Sequence, residues 1–413
     1  MSERLERVDV AIVGGGMAGA SLALMLAHYC PHLSVRLLEQ RSLPDASASV
    51  QLPSFDTRAT AIAAGSLQLF QQLGLWPALQ EYSAPIRRIQ VSDRGHAFGT
   101  ALSAGTQKQA SFAGMLGAVI ENAALGPILH NALNDTTVRL LSPARVTSVR
   151  MNSEGANLCW TGADDGSEQL LSCGLLVVAD GVDSPLCKQL GMEIDTVNYQ
   201  QRALVTTVAL QRDHDGVAYE RFTPSGPMAL LPLPRREGVH RAALVWACAE
   251  EEADAICALP EQERLKRLQQ QFGWRAGRFV RAGALQGYPL SLALAREQWR
   301  RNLVLLGNCA HFLHPVAGQG FNLTLRDCYA LAQALARPQV ESGTVGQLEC
   351  LAAYGENRRL DQQLTVGFSD RIPALFSSAN PFQQVVRQMG MLGLTLVPPL
   401  RQQFAGQAAG FGL

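Results

Sequence analysis

The chain has 413 residues, 47% hydrophobic and 17% charged, a length for two or three domains with large buried cores. Thirty-five basic and thirty-five acidic residues cancel, which excludes the strong positive field of a nucleic-acid binder. The nine cysteines are scattered and form no C-x-x-C pair, so neither a disulfide framework nor a zinc site is indicated and a reducing cytoplasm is expected.

Charges precede an apolar stretch at the start, as in a signal peptide, but three spaced glycines inside it make strand–turn–helix the better reading. Residues 8–13 read as a strand, 14–19 as a G-x-G-x-x-G turn (Gly14, Gly15, Gly16, Met17, Ala18, Gly19) and 20–27 as a helix. A second apolar strand, 34–38, ends at Glu39, about twenty residues past the glycines, where a carboxylate would accept ribose hydroxyls. Polar residues 40–55 follow, then 56–62 lead into a helix whose apolar Leu67, Phe70, Leu73 and Leu75 fall near helical spacing. Further on, 120–133 reads as a helix, 138–148 as strand and turn, and 157–160 as a short strand. Residues 173–179 form a continuous apolar run of the kind found in buried parallel strands, closed by Asp180-Gly181.

From 196 to 292 the character changes. Residues 203–210, 217–222, 228–232 and 242–248 are strand-like and separated by Pro- and Gly-bearing turns, with one charged helix at 261–271. This predicts an inserted antiparallel sheet. Parallel-strand character returns at 302–307, followed by a Gly-rich loop and a helix over about 320–336, and 346–413 reads as mostly helical. No run of eighteen apolar residues exists to span a membrane.

Three glycine-bearing segments carry the chemistry. In the first, Gly14 permits the tight turn, Gly16 lets backbone approach a pyrophosphate, and Gly19 lets helix and strand pack closely. The following helix aims its free N–H groups at the phosphates. The second is 178–184 and the third 307–323, from Gly307-Asn308 through His311 and His314 to Gly318-Gln319-Gly320-Phe321-Asn322. Alone, each of the later two also reads as an ordinary strand-end turn or Gly-rich loop.

Together, in this order, they resemble the class A FAD-dependent aromatic monooxygenases of the p-hydroxybenzoate hydroxylase fold, over nearly the whole chain. The resemblance implies an α/β fold: a discontinuous Rossmann-like FAD-binding domain (1–195 and 293–345), an inserted antiparallel-sheet substrate domain (196–292) and a helical C-terminal region (346–413). It implies FAD held by Gly14, Gly15, Gly16, Ala18, Gly19 and Glu39, with Arg58 near the pyrophosphate and flavin. Asp180 and Gly181 would serve both FAD and the transient reductant, NADPH or NADH. Asn308, Gly318, Gln319, Gly320, Phe321 and Asn322 would hold the ribityl chain and set a helix N-terminus against the ring, where N–H groups stabilise anionic reduced flavin. Asn122 stands where relatives place a cofactor contact, though a polar surface position on a helix reads equally well.

Two positions depart from the pattern: Asn308 replaces the usual aspartate, keeping an acceptor but no charge, and Cys187 stands where an arginine is usual. The Gly-Asn variant, with 313–323, 55–59 and 226–232, is most similar to the ubiquinone-biosynthesis hydroxylases, nearest the 2-polyprenyl-6-methoxyphenol hydroxylases. The implied reaction consumes NAD(P)H and O2 to hydroxylate a polyprenylated phenol. The open alternatives are another ring position, a soluble aromatic, or a non-catalytic FAD-fold scaffold in a biosynthetic complex. No catalytic base is legible: His311 and His314 are candidates, although loop histidines more often serve packing. No metal and no nucleic acid are implied. The resemblance admits peripheral contact with the inner membrane, a complex with other pathway enzymes, and a homo-oligomer. The apolar stretch 389–400, flanked by Arg387 and Arg401, reads as either a packed C-terminal helix or a membrane-surface segment.

Overall fold

The computed structural model describes residues 6–43, 58–94, 99–104, 112–162, 167–314, 318–337 and 344–377, with side chains to 370. The 389–400 segment and residues 55–57 and 315–317 of the motifs above lie outside the described residues.

Five strands run parallel in the first sheet, in the order Leu303–Leu305, Glu168–Val178, Glu6–Val13, Val35–Leu38, Arg139–Leu141. Their apolar composition follows from burial on both faces: Val10, Ala11, Ile12, Leu37 and residues 175–178 are fully covered. Helices Met17–Tyr29 and Gln319–Leu335 pack on one face through Leu22, Met25, Leu26, Leu325, Leu331 and Leu335. Register is what builds the site. Val13 lies opposite both Leu38 and Val178, and Val178 lies opposite Leu305, so four strands end level. Gly14, Glu39, Ala179-Asp180 and Leu306-Gly307 therefore leave the same edge, where ligands of parallel sheets bind.

The second sheet has nine strands. Its path runs His311–Phe312, Gln286–Ala295, Ile194–Leu210, Val239–Ala249, Gly226–Arg236, Val217–Thr223, Arg88–Asp93, Gly99–Ser103, with Phe279–Ala282 beside Ile194–Leu210. The antiparallel middle of the chain forms its bulk, with longer strands than the apolar runs alone suggested. Arg88–Asp93 and Gly99–Ser103 join it from far upstream, the first parallel to Val217–Thr223. Helices Glu250–Cys257 and Glu261–Phe272 flank its outer face.

A small antiparallel sheet of Ala59–Ala63, Gly117–Glu121 and Ser83–Ile86 contacts this second sheet through Ala59, Ala61 and Val119. Glu121 and Arg241 tie the two sheets with a bidentate ion pair at 3.1 and 3.2 Å, each side chain 1% exposed. Helix Leu348–Ser377 closes the described chain.

Candidate functional site

The level strand ends open onto a cleft of about 1220 Å³. Gly14, Gly15, Gly16, Ala18, Glu39, Asp180, Gly181, Asn308, Gly320 and Phe321 line it together, although the sequence separates them by up to three hundred residues.

The turn at Gly14 and the close packing at Gly19 are as the spacing predicts. Gly14 has φ +105°, and a methyl there would strike the Ala179 carbonyl. A methyl on Gly19 would collide with the Gly14 carbonyl oxygen. One on Gly16 would meet nothing within 4 Å, because that face is open to the cleft. His130, which also lines the cleft, holds the turn: its Nε2 lies 2.6 Å from the Gly15 carbonyl. Glu39 accepts from the N–H of Gly15 at 2.7 Å and of Arg41 at 2.9 Å, one on each carboxylate oxygen. Remaining lone pairs stay available to hydroxyls.

On the far wall, Asp180 is half-buried. Burial raises its pKa, opposed by hydrogen bonds from Ser184 and from Cys309, whose Sγ lies 3.3 Å from Oδ1. Ser184 Oγ caps the short helix after it by accepting from the Cys187 N–H at 3.1 Å, and Cys187 itself is fully buried. Asn308 is exposed at the cleft wall.

Helix Gln319–Leu335 begins at Gly318 in the left-handed region, φ +60°, and its first turn enters the cleft at Gly320 and Phe321. The N–H groups of its first residues lack intrahelical partners and carry the positive dipole end. Asn322 is 1% exposed, and its side chain is taken: Oδ1 accepts from Ala63 N–H, and Nδ2 donates to the Ala61 and Gly318 carbonyls. It stitches the helix start to the small sheet. Gln319 is buried beside it.

Arg58 is exposed away from this wall, its guanidinium 5.3 Å from the centre of the Tyr288 ring on the second sheet. Asn122 accepts from Thr60 Oγ1 at 2.6 Å and does not line the cleft. Neither histidine lines it either. His311 is buried with Nε2 2.6 Å from Asp327 Oδ2, inside a network that Arg358 continues through Nε to Asp327 Oδ1 at 2.6 Å. Burial drives the His314 pKa down to about 4, against the pull of Asp370, so the ring is neutral at physiological pH.

The cleft fits a dinucleotide. It offers backbone N–H donors, an open glycine face, an acceptor at Glu39 and two cations that sequence reading passed over, Arg41 and Arg145. The first belongs to the polar stretch after Glu39, and the second faces it only because its strand joins the same sheet.

Glu220 is the other group missed. Cross-strand partners share a sheet face, and pairing sets a row of Gln286, Val205, Val245, Ala229, Glu220 and Val91. Tyr288, under Arg58, is two residues from Gln286 on that face, and Ala218, two before Glu220, packs in the core with Ala59 and Ala61. Tyr219 points the other way, onto Phe272. Glu220 thus stands on the face turned toward the small sheet, half-buried among small apolar side chains, and burial pushes its carboxyl up to about 7.

The profile of a family described as "FAD binding domain" matches residues 7–369. The chain is 34% identical over 403 residues to the ubiquinone hydroxylase UbiL of Rhodospirillum rubrum, covering 97% of this chain and 89% of that protein. It is 28% identical to the 3-demethoxyubiquinol 3-hydroxylase of Escherichia coli, covering 97% and 98%. Among solved structures, p-nitrophenol 4-monooxygenase PnpA of Pseudomonas putida superposes with a TM-score of 0.76 at 16% identity, covering 98% of each chain, a likeness of fold.

Proposed function

The chain belongs to the FAD binding domain family, and from that premise we propose that it is an FAD-dependent, NAD(P)H- and O2-consuming hydroxylase of a polyprenylated phenol in ubiquinone biosynthesis. The observation that carries this reading is the 34% identity to a ubiquinone hydroxylase over 97% of the chain. Of the ring positions, we favour that of a 2-polyprenyl-6-methoxyphenol hydroxylase. The Escherichia coli relative, named for a 3-hydroxylation, favours another position as the second reading.

Bound FAD would supply the redox chemistry, accepting reducing equivalents from NAD(P)H so that one oxygen atom of O2 could reach an electron-rich ring and the other leave as water. The chain's own residues bind, orient and exclude water. Gly14–Gly16 and the start of the helix Met17–Tyr29 that follows them would hold the pyrophosphate, Glu39 the ribose, and Asn308 the ribityl hydroxyls. The first N–H groups of Gln319–Leu335 would stabilise negative charge at the flavin ring. The apolar row on the second sheet would form a dry floor for the phenol. On that floor Glu220 would take the phenolic proton on its carboxylate, raising electron density in the ring. His314, neutral with a pKa of about 4, is too weak a base for the task. We further propose that the parallel sheet with its helices is the cofactor unit and the second sheet the substrate unit.

Quinone-precursor profiling of a deletion strain identifies the hydroxylated carbon, and phenol-stimulated NAD(P)H oxidation by the yellow purified protein excludes a non-catalytic scaffold. Glu220→Gln should retain FAD, lose roughly a hundredfold in kcat and lose the pH–rate limb near 7. An unchanged kcat removes Glu220 from the reaction.

A further inference from the structure

Trp274 is 68% exposed, the most exposed large hydrophobic side chain among the described residues. It sits at the tip of a turn on the outer side of the second sheet, between helix Glu261–Phe272 and strand Phe279–Ala282. The turn is built to hold it there. Gly273 and Gly277 have φ +81° and +85°, the Gly277 N–H donates to the Trp274 carbonyl at 2.9 Å, and Phe272, Ala276 and Phe279 anchor it in the core beneath. Leaving an indole in water forgoes the stabilisation that burying its apolar area would bring.

Arginines crowd the same turn. Arg212 Nη2 donates to the Arg275 carbonyl at 2.9 Å, and Arg278 accepts through its carbonyl from the Gln211 N–H, so Arg212, Arg275 and Arg278, all exposed, belong to the turn that carries Trp274 and the segment bonded to it. Half-buried Arg221 lies behind Gly273, its Nε without a hydrogen-bond partner. Its pKa is lowered first by burial and then by the like charges of Arg275 and Arg94, with Asp93 the one opposing group. Nearby Asp213 faces His214 and His240, at 3.6 and 3.3 Å, and Asp215 is exposed on the same loop. Beyond Phe279, Val280 is a further 49% exposed. Mutually repelling cations around a presented indole cost folding stability, and a surface of negative charge over hydrocarbon offsets that cost. Trp prefers the membrane–water interface, and arginines nearby are drawn to anionic headgroups.

We propose that the Trp274 turn is a docking surface for anionic phospholipid membranes, with Trp274 and Val280 entering the interface and Arg212, Arg275 and Arg278 pairing with headgroups. The reading of a polyprenylated substrate supplies the use of such a surface, since that substrate resides in lipid, but the surface is argued from its own residues. Binding is peripheral and salt-sensitive.

The test uses full-length, FAD-loaded protein and vesicles free of any quinone precursor, so its failure is distinguishable from failure of the hydroxylase assignment. Wild type should co-sediment with phosphatidylcholine–phosphatidylglycerol vesicles at low salt and remain in the supernatant with phosphatidylcholine alone. Arg275→Gln with Arg278→Gln should weaken binding roughly twenty-five-fold, at about fivefold per arginine. Brominated lipid should quench part of the tryptophan fluorescence in wild type and none of that part in Trp274→Phe. Unchanged FAD content and thermal unfolding confirm that the variants are folded. Wild type that stays off anionic vesicles, or variants that bind as wild type does, overturn the proposal. Loss of a protein partner in the variants without any vesicle binding in wild type overturns it equally.

Discussion

A Cβ at Gly16 would meet nothing of the protein within 4 Å, leaving room for a valine on the cleft side, whereas an alanine at Gly19 would press on the Gly14 carbonyl. The two substitutions should therefore separate. Gly16→Val should purify without FAD and unfold at nearly the denaturant midpoint of FAD-stripped wild type. Gly19→Ala should lose about 1–3 kcal/mol of stability through forced backbone movement in a packed core, seen as a lower midpoint. Stoichiometric FAD in Gly16→Val would remove the pyrophosphate from that face. The tight turn at Gly14 and the close packing at Gly19 were legible in the sequence because a glycine between strand and helix has few other uses. Glu220 was not, because a glutamate in a strand takes its meaning from the face it occupies, and pairing with distant strands decides the face.

Elements differ in how openly they declare themselves. Buried parallel strands are continuous apolar runs, so the edges of the cleft could be read directly. Ala59–Ala63 is alanine-rich with weak strand preference, and Arg88–Asp93 mixes charge with apolar residues. Both are strands because partners far along the chain make them so, which is why they were passed over. Where Ile194–Leu210, the third motif and helix Leu348–Ser377 meet, the Tyr199 ring lies edge-on to His314, and its hydroxyl donates to Asp370 Oδ1 at 2.6 Å. A His314 pKa of about 4, against 6.5 unfolded, means the unfolded chain binds the extra proton first. Stability should hold above pH 6.5, fall as pH drops toward 4, and lose about 2–3 kcal/mol across that window. Urea melts of His314→Gln should flatten this dependence; an unaltered slope would assign it to other groups.

At the scale of the whole molecule, the Glu121–Arg241 pair lies buried between the small sheet and the second sheet, with Arg241 also donating to the Pro234 carbonyl. Arg241→Met should cost about 3–5 kcal/mol by taking the bidentate cation from a buried carboxylate, and adding Glu121→Leu should recover most of it. A double variant no more stable than the single would show that the loss is not ionic. The level strand ends have a consequence in time. Leu303–Leu305 completes the cleft about 290 residues after Val13, and translation at roughly 5–20 residues per second spends about 15–60 s crossing that interval. Until then the glycine turn is displayed without the Gly307-Asn308 wall and the start of helix Gln319–Leu335, so the nascent chain passes this interval with the cleft unfinished. Ligand binding stabilises only the state that binds, so FAD acts as a late seal on synthesis, and flavin starvation should deplete the finished protein rather than its early fragments.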